Sequence, residues 1–120
     1  MINGFEEQTV ELTNDEIKTI VPIFIRGLNS HIGKQNAITN KEIILLIETK
    51  YQIKLKDSRV RKIIHYIRIN RLVPKLCATS NGYYVAQSKK EHYEWIESIK
   101  QRLNSIQDIY NNALNEYHNE

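Results

Sequence analysis

The sequence predicts a mainly α fold with one small β-hairpin and a long C-terminal helix. Two kinds of local signal carry that prediction. Three boxes of the form Ser/Thr-x-x-Glu begin at Thr13, Thr39 and Ser88 and end at Glu16, Glu42 and Glu91. Each marks a helix start, because the hydroxyl accepts a backbone N–H three residues on while the glutamate reaches back to the first N–H. Asn81-Gly82, set between the runs 75–80 and 83–86, predicts a two-residue type I′ hairpin turn. The 120 residues suffice for one compact domain with an appended element.

Residues 1–12 are polar and acidic without periodicity and are expected to form a flexible arm. From Thr13, apolar residues Ile17, Ile20, Val21, Phe24, Leu28 and Ile32 recur at helical spacing, which predicts a helix to about residue 30–32. Pro22 lies inside that pattern and is expected to kink or split the helix, since it removes the bond to Lys18 and crowds its carbonyl. Gly33 stops it, and 34–37 is a short connection. The second helix runs from the Thr39 box to about Lys50 and is so apolar (Ile43, Ile44, Leu46, Ile47) that it is expected to be wedged between other elements.

After an alternating stretch at 51–56, Val60, Ile63, Ile64 and Ile67 form one apolar stripe of a third helix, 57–71, capped by Asp57 or Ser58. Turning about 100° per residue puts Ser58, Arg61, Lys62, His65 and Ile69 on the opposite face. Leu72-Val73-Pro74 is expected to end this helix, because proline has no donor and constrains the residue before it. The hairpin follows at once, and Tyr83 and Tyr84 alternate across it, one toward the core and one toward the surface. A basic helix followed directly by a short hairpin is the layout of a winged helix, so the domain is read as 13–87, with 88–120 a separate helical element.

Charge sharpens the picture. Residues 54–75 hold eight basic residues against one acid, Asp57, although the whole chain is only +3. Residues 1–16 carry five acids and no base, and 91–120 carry six acids against Lys100 and Arg102. A polyanion would approach the middle of the chain. Nothing assembles a reaction: there is no glycine-rich phosphate loop, no paired carboxylates in an apolar setting, and no Ser or Cys with an evident base. Cys77 has no disulfide partner and is expected to be a small packed residue; the four histidines are scattered, so neither metal nor cofactor is expected. No apolar run spans a membrane and no signal peptide is visible at Met1 to Glu7, which makes the cytoplasm the expected location.

Between Thr39 and Val85 the chain resembles the small winged helix-turn-helix proteins of bacteriophages and prophages. The resemblance rests on Gly33-Lys34-Gln35-Asn36-Ala37-Ile38-Thr39 leading into the second helix, Val60-Arg61-Lys62-Ile63-Ile64 in the third, and Asn81-Gly82-Tyr83-Tyr84-Val85-Ala86 closing the hairpin before a long polar helix. It covers roughly 13–117 and implies insertion of the 57–71 helix in the major groove of duplex DNA. Arg61, Lys62 and His65 would then contact base edges, since all three can donate to guanine O6 and N7. Backbone contacts would come from Ser58 and Arg59 near the helix start and from Thr39, Asn40 and Lys41 at the second helix N-terminus. Arg68, Arg71, Lys75, Ser80 and Asn81 would touch the flanking phosphates or minor groove. The implied function is sequence-specific regulation in a phage or mobile element. The alternative is a winged-helix module that binds protein, such as a small phage inhibitor of a host factor, whose basic face meets an acidic partner.

The last helix carries Ile96, Ile99, Leu103, Ile106, Tyr110, Ala113 and Tyr117 at alternating spacings of three and four, the seam of a coiled coil. It either pairs with a second copy or folds back on its own domain. The reading adopted is that the turns from Tyr93 to Ile99 pack on the domain and the remainder makes a homodimer.

Overall fold

The computed structural model describes residues 11–120. It is mainly helical, with one two-stranded antiparallel hairpin and a long C-terminal helix. The flexible arm expected at 1–12 lies outside the described residues up to residue 10. At its end, Leu12 already packs against the core.

The first capping box forms as expected. Thr13 N–H donates to Glu16 at 2.9 Å and Glu16 N–H donates to the Thr13 hydroxyl at 3.1 Å. The helix then opens with a π-helical stretch, Glu16–Ile20, before continuing as α1, Val21–Leu28. Pro22 explains the change. It occupies the first turn of α1, and its missing N–H leaves Lys18 O without the usual donor, so the ladder widens and Val21 N–H reaches back to Glu16 O. Ile20, Val21, Phe24 and Leu28 are buried. Ile32 is half exposed and lies beyond the helix, which ends earlier than its periodicity suggests.

Residues 31–38 are more than a connection. Val85 N–H donates to His31 O and Gly33 N–H to Val85 O, both at 2.8 Å, while Ile38 and Tyr83 exchange a reciprocal pair at 2.8 and 2.9 Å. The segment thereby fastens the hairpin to the helical body. α2, Asn40–Tyr51, begins with the complete Thr39 capping box and ends at Gln52, which is left-handed at φ 56°. Only Ile43 and Ile47 of α2 are buried; Leu45 and Leu46 are 65% and 49% exposed. The helix therefore lies on the body by one narrow face, not wedged between elements.

α3, Asp57–Ile69, buries Val60, Ile63, Ile64 and Ile67, the predicted stripe. Its N-cap is Lys56, without a side-chain cap, in place of the expected Asp57 or Ser58. It stops before Leu72-Val73-Pro74. Arg71 takes a left-handed φ of 53°, with Leu72 N–H bonded to Ile67 O at 3.0 Å and Arg71 N–H to Arg68 O at 3.1 Å. This is a Schellman ending with arginine where glycine is usual.

β1, Leu76–Thr79, pairs with β2, Gly82–Val85, in the register Thr79 opposite Gly82. The loop is thus Ser80-Asn81 and not Asn81-Gly82. Neither loop residue has positive φ, whereas Gly82 does at 116°, so the expected type I′ turn is absent. Gly82 is needed for a second reason: a Cβ there would lie 2.1 Å from Ile38 O. Tyr84 is buried at 2% exposure and Tyr83 is half-buried, in the expected alternation.

α4, Lys89–His118, is 30 residues long and has no buried residue. Glu91 N–H donates to Ser88 Oγ at 3.1 Å. The Glu91 carboxylate, however, turns outward to accept from Gln87 N–H at 3.1 Å and Lys34 N–H at 3.2 Å. Trp95 is half-buried against Cys77, Tyr84 and Ala86. No described helix is long and apolar enough to cross a membrane.

Candidate nucleic-acid interface

Docking α3 by its apolar stripe decides which of its polar side chains face solvent. Arg61 and His65 do, and so do Lys41 at the start of α2 and Arg71, Lys75, Ser80 and Asn81 beyond α3. Lys41 marks the start of α2, where the hairpin tip abuts residues 38–39, while Arg71 and Lys75 follow the end of α3.

Asp57, the one acid in the basic segment, sits in the first turn of α3. It accepts Asn40 Nδ2–H at 2.9 Å and pairs with Arg61 Nε at 2.9 Å. The carboxylate thus joins the first turns of α2 and α3 and meets the Arg61 guanidinium. Asn40 is consequently a tie between helices. Tyr83 is close by; burial pushes its phenol up from its ordinary pKa of 10.0, against the pull of the nearby Arg68 charge. Thr39 is likewise occupied, its hydroxyl and N–H both engaged with Glu42. Those bonds from Thr39 hold the Glu42 carboxyl below its ordinary 4.5.

Four residues expected at the interface lie elsewhere. Ser58 is buried at 9% exposure, because it is on the flank of α3 that meets the body. Arg59 turns to the first helix, where Nε donates to Glu16 Oε2 at 3.0 Å, with both side chains 15% exposed or less. Glu16 therefore serves its own capping box and Arg59 together. Burial raises its pKa, but the Arg59 and Thr13 bonds outweigh that and leave it below the ordinary 4.5. Lys62, expected at base edges, is only 18% exposed and approaches Glu11 at 3.9 Å.

Arg68 points to α4. Its guanidinium lies 4.9 Å from the Trp95 ring centre, and burial lowers its pKa. Nε and Nη2 are buried without a hydrogen-bond partner among the described residues, so the ring face carries much of the interaction with this cation. The position of Arg68 one turn beyond Ile64 and two beyond Arg61 gave no hint of it, since Trp95 is 27 residues distant in sequence.

A groove of about 400 Å³ runs between α1 and α2, lined by Phe24, Leu46 and Ile47 with Arg26 and Lys50. None of the residues expected to touch bases lines it. Among the described residues no group of His, Cys, Asp and Glu is arranged to hold a metal ion. No family model matches this chain, and no curated protein or solved structure is similar to it beyond chance.

Proposed function

We propose that the protein binds duplex DNA as a winged helix-turn-helix regulator of a phage or mobile element, acting inside the bacterial or infected host cell with α3 in the major groove. The observation that carries this reading is the solvent face of α3. Arg61 and His65 are exposed there, Asp57 pairs with Arg61, and Lys41, Arg71 and Lys75 are exposed before and after α3 in the chain. An arginine paired with a carboxylate offers a donor fork for guanine O6 and N7, and the other exposed cations would position the backbone. The base-reading set is narrowed to Arg61 and His65, since Lys62 is largely covered.

Selection from a random duplex library at two salt concentrations tests the reading. Specific binding gives an enriched motif, with log affinity falling by about 0.9 per phosphate neutralised against log salt. Arg61→Ala then removes base discrimination, while Lys41→Ala weakens all sequences alike. No enrichment, with binding lost at physiological salt, would overturn it in favour of an acidic protein partner.

A further inference from the structure

From Gln101 to Glu120 every residue of α4 is exposed. Leu103, Ile106, Ile109, Tyr110 and Tyr117 are each 59–69% exposed and share one side of the helix. This segment has little to hold it helical alone. It contains the weak helix formers Asn104, Ser105, Asn111, Asn112 and Asn115, and no i,i+4 pair of opposite charges from Gln101 onward. Helices of this kind gain their stability by covering an apolar stripe.

We propose that the stripe is covered by the same stripe of a second copy running antiparallel, in one defined register. With Leu103 and Tyr110 at a positions and Ile106 and Ala113 at d, the flanking g positions are Arg102, Ile109 and Glu116. A parallel pair sets g against e of the other copy. Arg102 would then face Gln107, no ion pair would form, and Ala113 would meet Ala113, leaving a gap between Tyr110 and Tyr117 layers. An antiparallel pair sets g against g.

Layering Leu103 on Ala113 of the second copy and Ile106 on its Tyr110 then brings Arg102 to Glu116 of the second copy twice, by symmetry. Ile109 meets Ile109 at the twofold axis, and each small Ala113 receives a large Leu103. Sliding by one heptad either way puts Arg102 or Glu116 opposite Ile109, so charge selects the register. The half-buried Ile99 and Tyr117 of the second copy close the two ends.

The full chain, without DNA, provides the test, so its outcome is independent of the proposed DNA binding. Sedimentation is expected to give a dimer. Leu103→Cys and Ala113→Cys, each made with Cys77→Ala, are expected to cross-link when mixed and not when alone. If Cys77→Ala misfolds, native Cys77 serves as the background, being 0% exposed. Arg102→Glu and Glu116→Arg each raise the dimer Kd about three- to thirtyfold, and the double reversal returns it to within about threefold of the parent. A monomer overturns the proposal. So does self-linking of each single-cysteine variant, which means parallel pairing, or a dimer in which neither 103 nor 113 links, which places the second copy elsewhere, such as the groove between α1 and α2.

Discussion

α3 and α4 carry apolar stripes of the same helical kind, yet one is sealed and the other bare. In α3, Val60, Ile63 and Ile67 are 0% exposed; in α4, Leu103 and Ile106 are 60% and 63% exposed. The difference lies in what the flanking segments reach. α3 is tethered at both ends by short connections, which return the chain over its stripe. α4 leaves the body after its first turns, held there by the Trp95 side chain packed on Cys77, Tyr84 and Ala86 and by the Glu91 carboxylate on Lys34 N–H. Periodicity specifies that a stripe will be covered; it is silent on what covers it.

The largest effect tests that contrast directly. Ile67→Ala is expected to cost about 2–5 kcal/mol in urea unfolding, because a fully enclosed site cannot collapse around the lost atoms. Leu103→Ala, measured on dilute protein, is expected to change stability by less than about 0.5 kcal/mol. A comparable loss from both would mean that α4 folds back on its own domain.

A second contrast lies between two of the ion pairs of α3. Arg59–Glu16 is at most 15% exposed, whereas Arg61–Asp57 is more than half exposed. Glu16→Ala removes the carboxylate from a covered guanidinium and is expected to cost about 1–3 kcal/mol, against roughly 0.2–1 kcal/mol for Asp57→Ala. The pH dependence separates them further. Glu16 is depressed in the folded state, so its stabilisation is present above its unfolded value near 4.5 and is lost as pH falls through the folded value. The acid limb of the stability curve should therefore flatten in Glu16→Gln, and an unchanged limb would remove Glu16 from the account.

The smallest effect concerns how α3 ends. Arg71 holds φ 53°, a conformation glycine adopts without the Cβ penalty, so Arg71→Gly is expected to stabilise the fold by about 0.5–1 kcal/mol. Thermal unfolding would register it as a rise in Tm of a few degrees at most. A fall would show that the arginine side chain itself contributes more than its backbone strain costs.

Much of the fold is legible before any coordinates. The boxes at Thr13 and Thr39, the stripe of α3 and the disruption at Pro22 are all local signals, decided within one or two turns of chain. The turn at Asn81-Gly82 misleads because Gly82 answers to a distant neighbour: the backbone of Ile38 passes so close that only glycine fits, and the loop shifts by one residue to suit. The candidate interface is legible only in outline. A helical wheel places Ser58, Lys62 and Arg68 by angle alone, but the angle at which α3 meets the body covers Ser58, the end of the acidic segment draws Lys62 toward Glu11, and α4 claims Arg68.

The amino-acid sequence by itself determined where the helices begin, which face of α3 is apolar, and that the positive charge gathers in the middle of the chain. These follow from hydrogen-bonding capacity and side-chain period, which act over three or four residues. Tertiary structure alone decided that Asp57 binds Asn40 and Arg61, that Glu16 meets Arg59 across 43 residues, and that residues 31–38 border β2. Those pairings depend on the relative placement of whole elements, which is set by how the buried faces fit together and by no short stretch of sequence.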